Sequence, residues 1–168
     1  MHVSGPDRAG RPVLVLVGAR LPAWGGVDKR RFARYVYRAL ASLASAPAFS
    51  VLYYHTDVTD ANRPGASWLW NAFEVLPATL QERLGALYVI HPAATLRGTL
   101  AMLPFLLFSP FSSGAIAHKT VYLDRLEHLW PHIDEKALRV PQFVAEHDKD
   151  LAEQRACLLC HACLPFAC

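Results

Sequence analysis

Short apolar runs alternate with longer segments of helical period along this chain. Val13 to Gly18, Phe49 to His55 and Ala86 to Ile90 are continuous runs rich in Val, Leu, Tyr and Ile, the pattern of strands buried on both faces of a parallel sheet. Lys119 to Leu123 reads as a fourth strand. Asp28 is placed to cap a helix from Lys29 to about Ser45. In that helix Phe32, Val36, Leu40 and Leu43 share one face, and Arg30, Arg31, Arg34 and Arg38 share the other. Asn62-Arg63-Pro64-Gly65 marks a turn, and Ser67 can cap a helix through Trp68, Leu69, Ala72, Phe73 and Leu76. Pro77 ends or kinks that helix before a further turn or two from Ala78 to Leu84.

The region after the third strand is the most apolar. Ala94 to about Phe108 reads as a helix that Pro104 kinks near Leu100 to Leu103. A helix apolar on most faces must bury against something on more than one side. Leu126 to Trp130 starts a short helical turn stopped by Pro131, and a last short helix is expected from Pro141 to Glu146. Strands alternating with helices predict an α/β fold, with a mainly parallel central sheet of four to five strands and helices on both faces. From Lys149 the composition turns charged and then Cys/Leu/Ala-rich. One domain over 1–148 and a disordered Cys-rich tail over 149–168 are therefore expected.

Composition narrows the function. Of 168 residues, 53% are hydrophobic and 18% charged, against about 25% charged in ordinary soluble domains. A net charge of +3 is too mild for a nucleic-acid partner and leaves room for an anionic membrane surface. The apolar run Thr99 to Phe111 is broken by Pro104 and Pro110 and falls short of the ~20 residues a span requires. No secretory signal is visible, and Cys157, Cys160, Cys163 and Cys168 all lie in the tail. A cytoplasmic domain, peripheral at membranes, is the expectation.

Several polar groups invite chemistry, and each has a simpler reading. His55-x-Asp57 with Asp60 follows a strand end, where ligands of parallel sheets bind; loop capping explains it as well. His91-Pro92 fits a turn whose ring bonds the backbone. His128 and His132 are separated by Pro131, which disfavours a metal pair. Cys157-x-x-Cys160-His161 matches a haem-attachment string that needs export. Zinc would require a tight cage closed by His161 or Cys168. Palmitoylation suits a Cys/Leu-rich end better, Pro165 excludes a prenylation box, and a silent tail is simpler still. No phosphate-binding, dinucleotide or nucleophile-elbow motif occurs. No catalytic residue, metal or cofactor is expected, and the chain is not expected to be an enzyme.

Asp7-x-x-Gly10-Arg11-Pro12-Val13, a polar turn leading into the first apolar run, resembles the start of CRAL-TRIO lipid-binding domains. Ser67-Trp68-Leu69, Leu87-Tyr88-Val89-Ile90-His91-Pro92, Lys119-Thr120-Val121-Tyr122 and Leu138-x-Val140-Pro141-Gln142-Phe143-Val144 are similar to the divergent branch of that family. That branch holds the BCH scaffold domains of Rho-GTPase-activating proteins and the ganglioside-induced differentiation-associated proteins. The resemblance runs over about residues 7 to 148. It implies a gate helix from Leu96 to Phe108 over an apolar cleft. Leu96, Leu100, Leu103, Phe105, Leu106 and Phe108 would line the cleft from the gate, and Tyr53, His55, Tyr88, Ile90 and Tyr122 from the sheet. Leu103 stands before Pro104 where the family's gate usually carries a lysine. The implied function is binding, with transfer between membranes, of a lipid or other hydrophobic molecule. The alternative it implies is a protein scaffold for Rho-family small GTPases or for self-association.

Overall fold

A computed structural model describes residues 1–23, 28–43, 45–63, 78–98 and 118–162, apart from the side chains of residues 29, 33, 78 and 157–162. Five strands form one sheet in the order β1-β2-β3-β4-β5. β2 (Pro12–Val17), β3 (Phe49–Tyr54), β4 (Leu84–Ile90) and β5 (Thr120–Leu123) run parallel, and β1 (His2–Pro6) pairs antiparallel with β2 at the edge. The four apolar runs are therefore the parallel strands. β1 was not anticipated: its short run contains Gly5 and Pro6, residues that an edge strand tolerates and a central one does not.

Parallel neighbours in register point their side chains to the same face. Val15–Leu52–Tyr88–Val121 and Val17–Tyr54–Ile90–Leu123 form two rows on one face. Leu126, Leu129, Ile133, Leu138 and Val144, from the chain that follows β5, pack onto these rows. Leu14–Val51–Leu87–Thr120 and Leu16–Tyr53–Val89–Tyr122 form the rows of the opposite face. There Leu40 and Leu43 from α1 (Lys29–Ala41) and its C-terminal turn, with Leu80 from α2 (Ala78–Arg83), pack on Leu14, Leu16 and Val51. Each fully buried aliphatic side chain adds about 1.5–3 kcal/mol, so these two layers hold the fold.

α1 begins where expected: the Asp28 carboxylate accepts from the Arg30 and Arg31 backbone N–H groups at 2.9 and 3.2 Å. It ends at Ala41, before the expected Ser45. Residues 94–98 are helical, as the start of the apolar helix should be. Arg97 pairs with Asp124 and lies 5.4 Å from the centre of the Tyr122 ring. The last helix corrects the expectation most. α3 spans Gln142–Ala162, so residues 149–162 are helical where a disordered tail was expected. The charged stretch is built from strong helix formers, tied at i,i+4 by Gln142–Glu146 (2.7 Å) and Lys149–Glu153 (3.8 Å). Cys163 and Cys168 lie outside the described residues.

The Asp7–Arg11 turn joins β1 to β2. Gly10 sits at φ 78°, a conformation that favours glycine. The Asp7 carboxylate, fully buried, accepts from Ala9 N (3.0 Å), Arg11 N (2.9 Å), Arg11 Nε (2.8 Å) and Ser50 Oγ (2.7 Å). Burial pushes its pKa up, but the Arg11 backbone N–H, the Ser50 hydroxyl and the Arg11 guanidinium outweigh that and hold it low. Gly85 on β4 makes room for Arg11, since a Cβ there would lie 2.2 Å from Nη1.

Candidate functional site

The carboxyl ends of β3, β4 and β5 meet at His91. Two backbone bonds carry the ladder past the strands, His55 N to Ile90 O (3.0 Å) and His91 N to Leu123 O (2.9 Å). His91 then turns the chain at φ 51°, an uncommon conformation for a residue with a Cβ, and Pro92 follows. The ring is 3% exposed and held on both nitrogens. Nδ1 lies 2.8 Å from Thr56 Oγ1, and Nε2 lies 3.1 Å from Asp148 Oδ1. An ionised carboxylate only accepts, so Nε2 carries the proton and Nδ1 accepts from the Thr56 hydroxyl.

Asp148 comes from α3. Its carboxylate also accepts from Arg125 Nε (3.0 Å), Arg125 Nη2 (3.1 Å) and Leu126 N (2.8 Å). Burial pushes its pKa up, but the Arg125, Leu126 and His91 donors outweigh that and bring it down to about 2. Hydroxyl, imidazole and carboxylate stand in the order of a general-base relay. Thr56 is only 2% exposed, however, and Asp148 is shared with Arg125. The group is thus built as a clasp that fastens α3 to the strand ends. Beside it lies a cleft of about 320 Å³ lined by His91, Pro92, Arg125, His147, Leu151 and Arg155, among others. The His147 ring sits 4.9 Å from that of His91.

Burial lowers the pKa of His91 below its ordinary 6.5, outweighing the opposing pull of Asp148, and burial lowers that of His55 as well. Both are neutral in the folded state under conditions where the unfolded chain takes up protons. Their contribution is therefore complete above about pH 6.5 and is lost as pH falls toward the folded values. Asp148 acts in the same direction lower down, between its ordinary 3.8 and about 2. Urea unfolding is expected to give a lower stability at pH 5.5 than at pH 7.5, with a limiting slope of about 1.4 kcal/mol per pH unit for each proton involved. His91→Asn, which tolerates the positive φ, should reduce that slope. An identical slope in the variant would remove His91 from the account.

The residues expected to line a cleft divide between the two faces. Tyr53 and Tyr122 share a row with Leu16 and Val89 on the α1/α2 face. Tyr88 and Ile90 face the other way, in the core beneath α3, with Tyr88 5.1 Å from the His132 ring. Strand alternation thus separates Tyr88 and Ile90 from any site containing Tyr53 and Tyr122, and this corrects the expected lining. His55 is buried, with Nδ1 3.3 Å from Tyr53 Oη, and burial pushes the Tyr53 pKa up to about 12. Leu96 is buried on the helical turn 94–98. Leu100, Leu103, Phe105, Leu106 and Phe108 lie outside the described residues, as do Ser67, Trp68 and Leu69.

The weaker groupings come apart. His55 is buried while Asp57 and Asp60 are exposed, and Asp60 pairs with Arg63 at 2.5 Å. His128 lies 3.8 Å from Glu127, and His132 packs against Tyr88. Among the described residues no group of three His, Cys, Asp or Glu gathers to hold a metal, and no helix is long and apolar enough to cross a membrane. Thr56, Arg125 and Asp148 were missed as partners of His91. They lie 35, 34 and 57 residues from it, and only the fold brings them together.

Comparison with known proteins agrees with this architecture. The chain is 30% identical over 148 residues to the Protein GDAP2 homolog of Drosophila melanogaster, covering 88% of this chain and 26% of that protein. It is 27% identical over 148 residues to human Rho GTPase-activating protein 1, covering 88% and 32%. It is 26% identical over 151 residues to mouse Rho GTPase-activating protein 8, covering 90% and 34%. The chain thus spans about a quarter to a third of the length of these relatives. The model of the divergent CRAL/TRIO domain matches residues 10–150. With its parallel sheet, its turn anchored on the buried Asp7 carboxylate and its closing helix packed through Phe143 and Val144, this chain belongs to the divergent CRAL/TRIO domain family.

Proposed function

We propose that the domain binds a lipid or other small hydrophobic molecule on the α1/α2 face of the sheet, next to the helical turn 94–98 whose Arg97 lies over the Tyr122 ring, and carries it between membranes. One observation carries this reading. On the α3 face the central strands are sealed, with Leu52, Tyr54 and Ile90 all at 0% exposure. On the opposite face Val89 is buried, but Tyr53, Leu87 and Tyr122 remain partly exposed, and among the described residues Leu87 joins neither packed cluster. Central strands of a covered parallel sheet ordinarily bury both faces. An acyl chain laid along this surface would gain about 0.8 kcal/mol per methylene removed from water.

Leu87→Trp tests the reading directly. If the surface borders a ligand space, the indole fills it; native mass spectrometry after incubation with lipid vesicles should then show uptake by the parent chain and none by the variant, at nearly unchanged thermal stability. If side chains already pack the space, overfilling costs about 1–3 kcal/mol. A destabilised variant of a parent that takes up no lipid would refute the proposal. A second reading draws support from two relatives being Rho GTPase-activating proteins. It makes the domain a platform for a Rho-family small GTPase or for its own copies, and affinity capture with purified GTPases tests it.

A further inference from the structure

The outward face of α1 is electrostatically unfavourable on its own terms. Lys29, Arg30 and Arg31 fill the first turn with no acidic residue among them, at the end of a helix that repels cations. Arg30, Arg34 and Arg38 then follow at i,i+4 spacing, where like charges destabilise a helix. All three are exposed, and among the described residues none of their guanidinium groups has a carboxylate partner; the Asp28 carboxylate caps the Arg30 and Arg31 N–H groups and pairs with the Arg31 guanidinium at 3.5 Å. At about 100° per residue, Arg30, Arg34, Arg38 and Arg31 occupy the middle of an exposed arc of roughly 160°. Tyr37 and Tyr35, 50% and 51% exposed, stand at its two edges. The inward face packs on the sheet through Val36, Ala39, Leu40 and Leu43. This stripe therefore adds nothing to the core and carries a charge cost that no carboxylate of the described residues relieves at Arg30, Arg34 or Arg38, the mark of a surface shaped for something outside the chain.

We propose that this face of α1 docks the domain on an anionic bilayer, the arginines meeting lipid phosphates and carboxylates while Tyr35 and Tyr37 seat in the headgroup layer. Arginine is the cation best shaped for such oxygens, and tyrosine favours a boundary that is wet on one side and apolar on the other. The stripe is on the helix that covers the Tyr53 face, so docking brings that face's helical layer to the membrane. The inference goes beyond the ligand reading and does not depend on it: Leu87→Trp should abolish lipid uptake and leave docking intact.

Vesicle co-sedimentation of the whole chain tests it, using phosphatidylcholine alone against an equimolar mixture with phosphatidylserine. The parent should bind only the anionic vesicles and release them as salt rises, because screening shortens the reach of each charge. Each arginine near the surface is expected to contribute about fivefold, so Arg30→Gln/Arg34→Gln/Arg38→Gln should weaken partitioning about a hundredfold at an equal or higher melting temperature. Lys136→Gln/Arg139→Gln/Lys149→Gln removes the same charge from exposed positions in the segment beyond β5 and should bind nearly as the parent does. Equal loss in both variants would overturn the proposal, as would binding indifferent to phosphatidylserine. So would an α1 variant that binds vesicles normally but no longer captures a Rho-family GTPase.

Discussion

Asp7→Ala is expected to destabilise the domain by about 4 kcal/mol, within the range for breaking a buried, hydrogen-bonded ion pair. The carboxylate is fully buried, and the Ser50 hydroxyl it accepts from lies on a central strand at 0% exposure. Its removal leaves that hydroxyl and two turn N–H groups without their acceptor, at a cost of about 1–3 kcal/mol for each group left unpaired and dry. The Arg11 guanidinium, 26% exposed, recovers some hydration and moderates the total. For a chain of this length the loss corresponds to a melting temperature roughly 8–16 °C lower. Adding Ser50→Ala should cost less than the sum of the two single changes, because the second removes a donor already orphaned by the first. A single-variant loss below about 1 kcal/mol would mean that water replaces the carboxylate, and the turn would not be a structural anchor.

The second large effect belongs to the clasp. Asp148→Ala is expected to cost about 3 kcal/mol, since His91 Nε2, Leu126 N and the Arg125 guanidinium all lose their acceptor. The figure is lower than for Asp7 because Arg125 borders the cleft and the Asp148 carboxylate is 14% exposed, so water can reach the pair. The loss should also be local. Hydrogen exchange is expected to quicken in α3 around residues 146–156 while β3 and β4 keep their protection, as befits a unit that opens on its own. Uniform acceleration across sheet and helix would instead make Asp148 part of the global core. Arg125→Ala combined with Asp148→Ala should recover part of the single loss, because the orphaned guanidinium is then gone.

The parallel strands were legible in the residues because burial on both faces forces continuous apolar runs, and VLVLV, FSVLYY and ALYVI show them. α1 was legible from a capping aspartate and a one-sided apolar stripe. The edge strand and the length of α3 were not. An edge position tolerates glycine and proline, and a helix docked mainly near its start through Phe143, Val144 and Asp148 needs no long apolar stripe. Its charged remainder therefore looks like a tail.

For the candidate site, the chain by itself determined that a histidine would stand at the end of β4, that an apolar segment would follow, and that an aspartate-to-arginine turn would precede β2. Local order dictates each of these through propensity, capping and periodicity. Only the tertiary structure decided that Tyr88 and Ile90 face away from Tyr53 and Tyr122, since a pleat sends alternate side chains to opposite faces whatever their chemistry. It alone joined Thr56, His91, Arg125 and Asp148, because a parallel sheet gathers its strand ends from distant parts of the chain and no local pattern records which loops will meet there.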